Sequence, residues 1–506
     1  MADRVDVVII GSGVGGSAIA HCLASSGASV LVLERGERLV REDRNWDVEE
    51  VYAKACYKAD EDWFDAQGQP FQPGQFYYVG GNTKVFGTTM LRFRAEDFGE
   101  LEHEGGTSPA WPVSYDTLEP YYTEAERLFG VHGEAGRDPT EPPRSGGYPF
   151  GPVPHDPEIA GVADRLRELG LKPFPLPTSV QYHDGGKCIA CDTCDGFPCK
   201  VDGKGDAEIC LLDPALAAGN VTLCTGAMVN RLVTDETGKR IVAVEVTLNG
   251  RSESIEADLF VLSAGAINSA VLLLRSANDA NPDGLANSSG MVGRFYMNHN
   301  CSAVMALKPF HKFTTRFQKS LSLNDFYFGD GEAYGYPLGN IQLLGKIKEP
   351  MLRGALGWMP GWGRQWLAGH SVDWYAMSED LPDPESRVTV RDDGGICLSW
   401  RRTNTAAHAR LVARTKKFLR AAGFPIVVSQ TFSKETPSHQ CGTVRFGDDP
   451  AKAPLDPLCK AYDHENLYVV DAGFFPSSAA VNPALTVAAQ ALRVGEHLRE
   501  SELKAS

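Results

Sequence analysis

Residues Val5 to Gly36, VDVVIIGSGVGGSAIAHCLASSGASVLVLERG, limit what this chain can fold into more than any other stretch. Val7 to Ile10 form an unbroken apolar run with the length and β-branching of a buried parallel strand. Gly11, Gly13 and Gly16 follow as G-x-G-x-x-G at the turn into a helix. Ala18, Ile19, Cys22 and Leu23 then recur at helical spacing, and Gly27 ends the helix. Ala28 to Leu33 read as a second strand with Glu34 at its end. Gly11 permits the tight turn, Gly13 lets a phosphate approach the backbone, and Gly16 lets helix and strand pack closely. The helix N-terminus offers unbonded N–H groups and a partial positive charge to phosphates. A carboxylate at Glu34 accepts both hydroxyls of an adenosine ribose and repels a 2′-phosphate. The unit predicts a dinucleotide site, with Ser12, Gly15 and Arg35 inside it, and by itself does not separate NAD from FAD.

At 506 residues the chain exceeds what one core organises, so two or more domains are expected. Hydrophobic content of 43% with 23% charged residues is that of a globular protein. A net charge of −16 argues against nucleic acid or an anionic membrane as partner. No apolar run approaches the ~18 residues of a membrane span, and no secretory signal precedes the glycine loop, so a cytoplasmic location is expected.

Val40 to Tyr78 read as short helices and loops over the sheet. Gly80-Gly81-Asn82-Thr83 suits either a backbone closely approached by a ligand or an ordinary turn. Helices are predicted from Tyr115 and over Pro157 to Leu169. Val221 to Thr234, Ile241 to Leu248 and Ser254 to Ile255 read as a small meander, with Asn249-Gly250 as its hairpin turn. Ala257 to Arg275 is a strand, a small-residue turn and an apolar helix, which sets Ala264 and Gly265 at a strand end beside a dinucleotide. Met305 to Trp400 suggest an antiparallel sheet, and Thr405 to Ala422 a basic amphipathic cover helix.

Cys188, Cys191, Cys194 and Cys199 give C-x2-C-x2-C-x4-C. The spacing is like an iron–sulfur ligand run, although the last gap is longer than in ferredoxins. Zinc, one or two local disulfides, and a reduced structural loop stay open beside it. The other eight cysteines are expected as buried thiols.

Near the C-terminus stand His439 with Gly442-Thr443, a strand ending in Asp471-Ala472-Gly473, and Asn482-Pro483 opening a helix. Taken in order with the glycine loop, Gly80 to Thr83 and Ser263-Ala264-Gly265, these motifs resemble the glucose–methanol–choline (GMC) family of FAD-dependent oxidoreductases over nearly the whole chain. The resemblance implies an α/β fold of the GMC and p-hydroxybenzoate-hydroxylase type. A Rossmann-type FAD domain would comprise 1–95, 205–300 and 462–506. A substrate or cap domain on a mostly antiparallel sheet would comprise 96–204 and 301–461, including the Cys-rich loop 188–199. It also implies FAD contacts at Gly11, Ser12, Gly13, Gly15, Gly16, Glu34, Arg35, Gly80, Gly81, Asn82, Thr83, Val229, Ala264, Gly265, Asp471, Ala472, Gly473, Asn482 and Pro483.

Alcohol oxidation by hydride transfer needs a base for the hydroxyl proton and a partner for the oxygen, and the resemblance assigns these to His439 and Asn482. A histidine alone is more often a core residue, and asparagine is a good N-cap, so these roles rest on the motif. Neither His21 nor His103 sits in a covalent-attachment motif, and noncovalent FAD is expected. The asparagine and the run CDGFPCKVDGKGDAE resemble bacterial pyranose and glycoside oxidases and sugar dehydrogenases. This implies oxidation of a secondary hydroxyl, C3 before C2, of a pyranose or glycoside, with O2 or another electron acceptor. Primary-alcohol oxidation on an aminoglycoside-like sugar and a lyase keeping FAD structurally are the alternatives. Trp358, Trp362, Trp366, Trp374 and Tyr375 could stack on sugar faces, with at least half of them expected in the core.

Overall fold

The computed structural model describes residues 4–331, 334–436 and 439–503, and counts below refer to those. The N-terminal apolar run becomes the strand Arg4–Ile10, whose last four residues are buried. It pairs in parallel with Val30–Leu33 on one side and Arg251–Leu262 on the other. Val221–Cys224 and Leu467–Val469 extend this parallel set. Strands fully buried on both faces are possible because helices cover the sheet, among them Val14–Leu23 and Ala484–His497.

The predicted meander forms, with Ala227–Thr234, Ile241–Leu248 and Arg251–Leu262 paired antiparallel in succession, and it continues the same sheet. Arg251–Leu262 is one 12-residue strand whose first half is largely exposed and whose second half is largely buried. It pairs antiparallel with Ile241–Leu248 near its start and in parallel with Arg4–Ile10 further on, so the seven strands form one mixed sheet.

A second, six-stranded sheet contains Ile426–Thr431, Asn300–Leu307, Ser371–Ser378, Asn340–Leu343, Leu321–Leu323 and Phe174–Pro175 in spatial order. All its pairings are antiparallel, as expected. Alternation along each strand gives the sheet two faces. Val304, Ala306, Trp374, Ala376 and Val427 pack with Leu411 and Phe418 of the helix Thr405–Ala421, which is the predicted cover. Ala303, Met305, Tyr375, Ile426 and Val428 face the other way, into a cavity.

The aromatic expectation for this region needs correcting. Trp374 is core and Tyr375 is buried at the cavity, but Trp358 and Trp362 are 78% and 79% exposed and Trp366 stacks on His370 at the surface. None of these three lines the cavity. The expectation for the scattered cysteines also fails in part, since Cys56 is exposed and only Cys301, Cys441 and Cys459 are fully buried. Among the described residues no helix is long and apolar enough to cross a membrane.

Candidate active site

A cavity of about 990 Å³ runs between the two sheets. Of the residues singled out above, all but Gly16 and Gly473 among the FAD contacts line it, as do His439 and Asn482. His21 and His103 do not.

At the nucleotide end the surface is backbone. Gly11 has φ of +99°, and a Cβ there would lie 2.3 Å from the Ser263 carbonyl oxygen. A Cβ on Gly16 would lie 2.0 Å from the Gly11 carbonyl oxygen, which explains why Gly16 packs and does not reach the cavity. Gly13 differs: its φ is −66°, and a Cβ would meet nothing within 4 Å. Gly13 also caps the helix Val14–Leu23 without any side-chain acceptor. An open approach to an uncapped helix N-terminus fits a pyrophosphate.

The side chains here mostly brace the loops. Glu34 accepts from the Ser12 amide at 3.0 Å, the Ser12 hydroxyl at 2.6 Å and the Gly36 amide at 2.9 Å. A carboxylate has about four acceptor positions, so one remains for a ribose hydroxyl where two were expected. Burial raises the Glu34 pKa, and these donors oppose the shift. Arg35 lies over the Tyr77 ring and pairs with Glu61 at 3.2 Å. The Ser12 hydroxyl accepts from the Gly80 amide, and Thr83 donates to the Gly80 carbonyl while accepting from the Ala207 amide. Asp471 accepts from the amides of Gly265 at 2.9 Å and Gly473 at 2.7 Å, tying two loops together.

At the other end the structure brings His439 and Asn482 together, with His439 Nε2 3.2 Å from Asn482 Nδ2. Two partners that sequence reasoning missed fix their chemistry. His299 Nε2 lies 2.8 Å from the Ser478 carbonyl oxygen, which only accepts, so the proton of His299 is on Nε2. Its bare Nδ1 then accepts from His439 Nδ1 at 2.8 Å, leaving His439 Nε2 without a proton.

A chain of amides reaches the same result from the opposite side. Asp138, paired with Arg94, accepts from Asn324 Nδ2 at 2.8 Å. Asn324 Oδ1 accepts from Asn340 at 2.7 Å, Asn340 Oδ1 from Gln342 at 3.0 Å, and Asn482 Oδ1 from the same Gln342 nitrogen at 2.9 Å. The Gln342 oxygen is held by the Thr89 hydroxyl at 2.9 Å. Asn482 must therefore present its NH₂ to His439. Asn340 and Gln342 alternate with Ile341 and Leu343 on one buried strand, and polar residues at two-residue spacing were the one available sign of a polar inner face. His299 had no such signal.

Loss of hydration lowers the His439 pKa well below 6.5, and neighbouring His299 and Lys319 add to the shift. Burial lowers His299 to about 4, against the opposing pull of the Ser478 carbonyl. Lys319 pairs with Asp195 at 2.7 Å. Both histidines are neutral at pH 7.

The Cys-rich loop behaves otherwise than a ligand run. Cys188, Cys191, Cys194 and Cys199 line a cavity of about 10 Å³, room for about one water. All twelve cysteines are unpaired in this structure, which shows no local disulfide. Among the described residues no three His, Cys, Asp or Glu side chains are placed to hold a metal. Neither a cluster nor zinc gains support from this placement; burial raises Cys188 to about 11 and Cys194 to about 12, so in the absence of a metal both are neutral thiols.

The fold and this site have the form of a dinucleotide-binding enzyme. The family model described as GMC oxidoreductase matches residues 5–301, and its C-terminal counterpart matches 384–491. Paromamine 6′-oxidase of Streptomyces fradiae is 31% identical over 97% of this chain and 91% of its own length. The fructose dehydrogenase large subunit of Gluconobacter japonicus is 28% identical over 97% of each. Pyridoxine 4-oxidase from Mesorbium loti, at 20% identity, shares the fold with a TM-score of 0.65 over 97% of this chain and 99% of its own. The chain belongs to the GMC oxidoreductase family, whose members bind FAD, and is an enzyme acting on alcohol CH–OH groups.

Proposed function

We propose that this enzyme oxidises a hydroxyl of a neutral pyranose or glycoside to a carbonyl, with His439 as base. The observation that carries this reading is the polarity of the His439–Asn482 pair. One member presents a bare nitrogen and the other an N–H, 3.2 Å apart. A substrate hydroxyl is itself one donor and one acceptor, so it can replace this bond with two of its own.

FAD, held along the glycine loop, Glu34, Gly80 to Asn82, Val229, Ala264 to Gly265 and Asp471 to Ala472, supplies the acceptor for the hydride. His439 Nε2 takes the hydroxyl proton as the C–H bond gives up its electron pair, and Asn482 Nδ2 holds the oxygen. His299 keeps the ring in the tautomer that leaves Nε2 bare. Neutral substrates are favoured over aminoglycosides because the acids lining the cavity are engaged: Glu34 with Ser12 and Gly36, Asp195 with Lys319, and Asp471 with two amides. We place the reaction at a secondary hydroxyl, C3 before C2. The likeness to a 6′-oxidase favours a primary hydroxyl as the second reading.

The test is anaerobic stopped-flow bleaching of the FAD-loaded enzyme with sugars and glycosides, followed by NMR of the product. A ketone supports the first reading and an aldehyde the second. Substrate consumed with the flavin still oxidised means a lyase. Peroxide formed stoichiometrically marks an oxidase, and turnover only with a quinone or dye marks a dehydrogenase. Replacing His439 with Ala is expected to slow bleaching by about 10²–10⁴-fold.

A further inference from the structure

We infer that the substrate is amphiphilic: a glycoside whose non-reacting part is an apolar aglycone of alkyl, terpenoid or aromatic character. This rests on the reading above, that a sugar hydroxyl faces His439.

His299 immediately precedes the strand Asn300–Leu307, so that strand leads directly away from the catalytic pair. Its cavity-facing side chains are Ala303, Met305 and Leu307 in succession, spanning about 13 Å at the rise of an extended strand. On the neighbouring strand their register partners are Gln430, Val428 and Ile426. The floor is thus polar near His299 and aliphatic beyond it.

Val428 and Ile426 are 47% and 44% exposed, whereas Val304 and Val427, on the opposite face, are sealed under the cover helix. The segment 347–367 forms the other wall, where Leu352, Leu356 and Leu367 pack with Met305 and Leu307 and Met359 faces the cavity. A second sugar ring along this arm would lose water from each hydroxyl without a partner to replace it, an unfavourable exchange. An apolar aglycone would cover Val428 and Ile426 and lose nothing. The polar groups Thr89, Asn482, His439 and the Lys319–Asp195 pair gather at the reacting end, where the sugar ring needs them.

The experiment compares methyl, butyl, hexyl and octyl β-glucosides by calorimetric binding and by anaerobic flavin reduction with the FAD-loaded enzyme. Affinity and kcat/KM are expected to rise about three- to fourfold per methylene until the arm is filled. Binding should also carry a heat-capacity change that becomes more negative with chain length. Val428→Asp, at a half-exposed position on an edge strand, is expected to flatten the series. A flat series in the wild-type enzyme, with methyl glucoside reducing the flavin readily, overturns the inference and leaves the sugar reading standing. If no glycoside reduces the flavin, the sugar reading fails. The inference then falls with it, because it concerns the aglycone of a glycoside.

Discussion

The two ends of the cavity are built from different material. At the nucleotide end the lining is main chain: Gly13 opens onto it, the helix Val14–Leu23 starts there without a side-chain cap, and Glu34, Thr83 and Asp471 spend most of their bonds on neighbouring loops. At the substrate end the lining is side chain. The strands there bond to one another, and the cavity is lined by His439, by Asn482, which Gln342's amide chain orients from behind, and by the aliphatic floor. A backbone surface works only where Cβ atoms are absent. A side-chain surface works only where donors and acceptors point the right way.

The largest effect expected on cofactor binding tests the first half of this contrast. Gly13 already has a φ that alanine adopts, with no atom within 4 Å of an added Cβ, so Gly13→Ala should fold and melt as the parent does. The methyl would stand where a phosphate approaches, and overpacking costs about 1–3 kcal/mol, so FAD affinity should fall roughly ten- to a hundredfold. Fluorescence titration of the apoprotein measures it. Gly11→Ala should behave oppositely, failing to fold because its φ is +99° and the Ser263 carbonyl occupies the space. Unchanged FAD affinity in Gly13→Ala would show that the loop does not form a backbone surface.

The same contrast explains what the sequence could disclose. A backbone surface must be written as glycines at fixed local spacing, and Gly11, Gly13, Gly16, Gly80 and Gly265 were all legible for that reason. Their duties of turn, phosphate approach and packing were legible too. The spacing does not show that Gly16 stays off the cavity, or that Ser12 and Gly36 use three acceptor positions of Glu34. The six-stranded sheet was foreseen only as a class, because two of its five pairings join residues more than a hundred positions apart. His439 and Asn482 came from motif resemblance. His299 and Gln342, which set their polarity, sit in no local pattern that ties them to those two. The exposed Trp358 and Trp362 were misjudged because aromatic content does not say which face of a segment is covered.

A smaller effect tests the directional half. His299→Leu removes the acceptor for His439 Nδ1–H, so the ring can turn its proton toward Asn482 and lose its basic nitrogen. One neutral hydrogen bond is worth about 1–1.5 kcal/mol, so flavin reduction should slow about tenfold. Asparagine places a carbonyl oxygen near the former Nδ1, and His299→Asn should recover most of the rate. Equal losses in both variants would assign His299 to packing, and the orientation of His439 would need another source.

The smallest expected effect is an absence of pH dependence. An imidazole titrating at 6.5 would make the reductive rate fall about tenfold per unit below that pH. His439 is held well below 6.5 by lost hydration and by His299 and Lys319, so its Nε2 stays bare and the rate between pH 6 and 8 should change by less than about twofold. Stability should not share this flatness. Because His299 is lowered to about 4, the unfolded chain binds more protons than the folded one as pH falls from 6.5 toward 4. Its contribution is complete above 6.5 and is lost through that window, about 3 kcal/mol for this ring. Urea midpoints at pH 7 and pH 5, read beside the stopped-flow rates, separate the two quantities. A kinetic limb at 6.5 together with a flat stability profile would mean that water reaches the pair, and the substrate end would then lack the fixed polarity that distinguishes it from the nucleotide end.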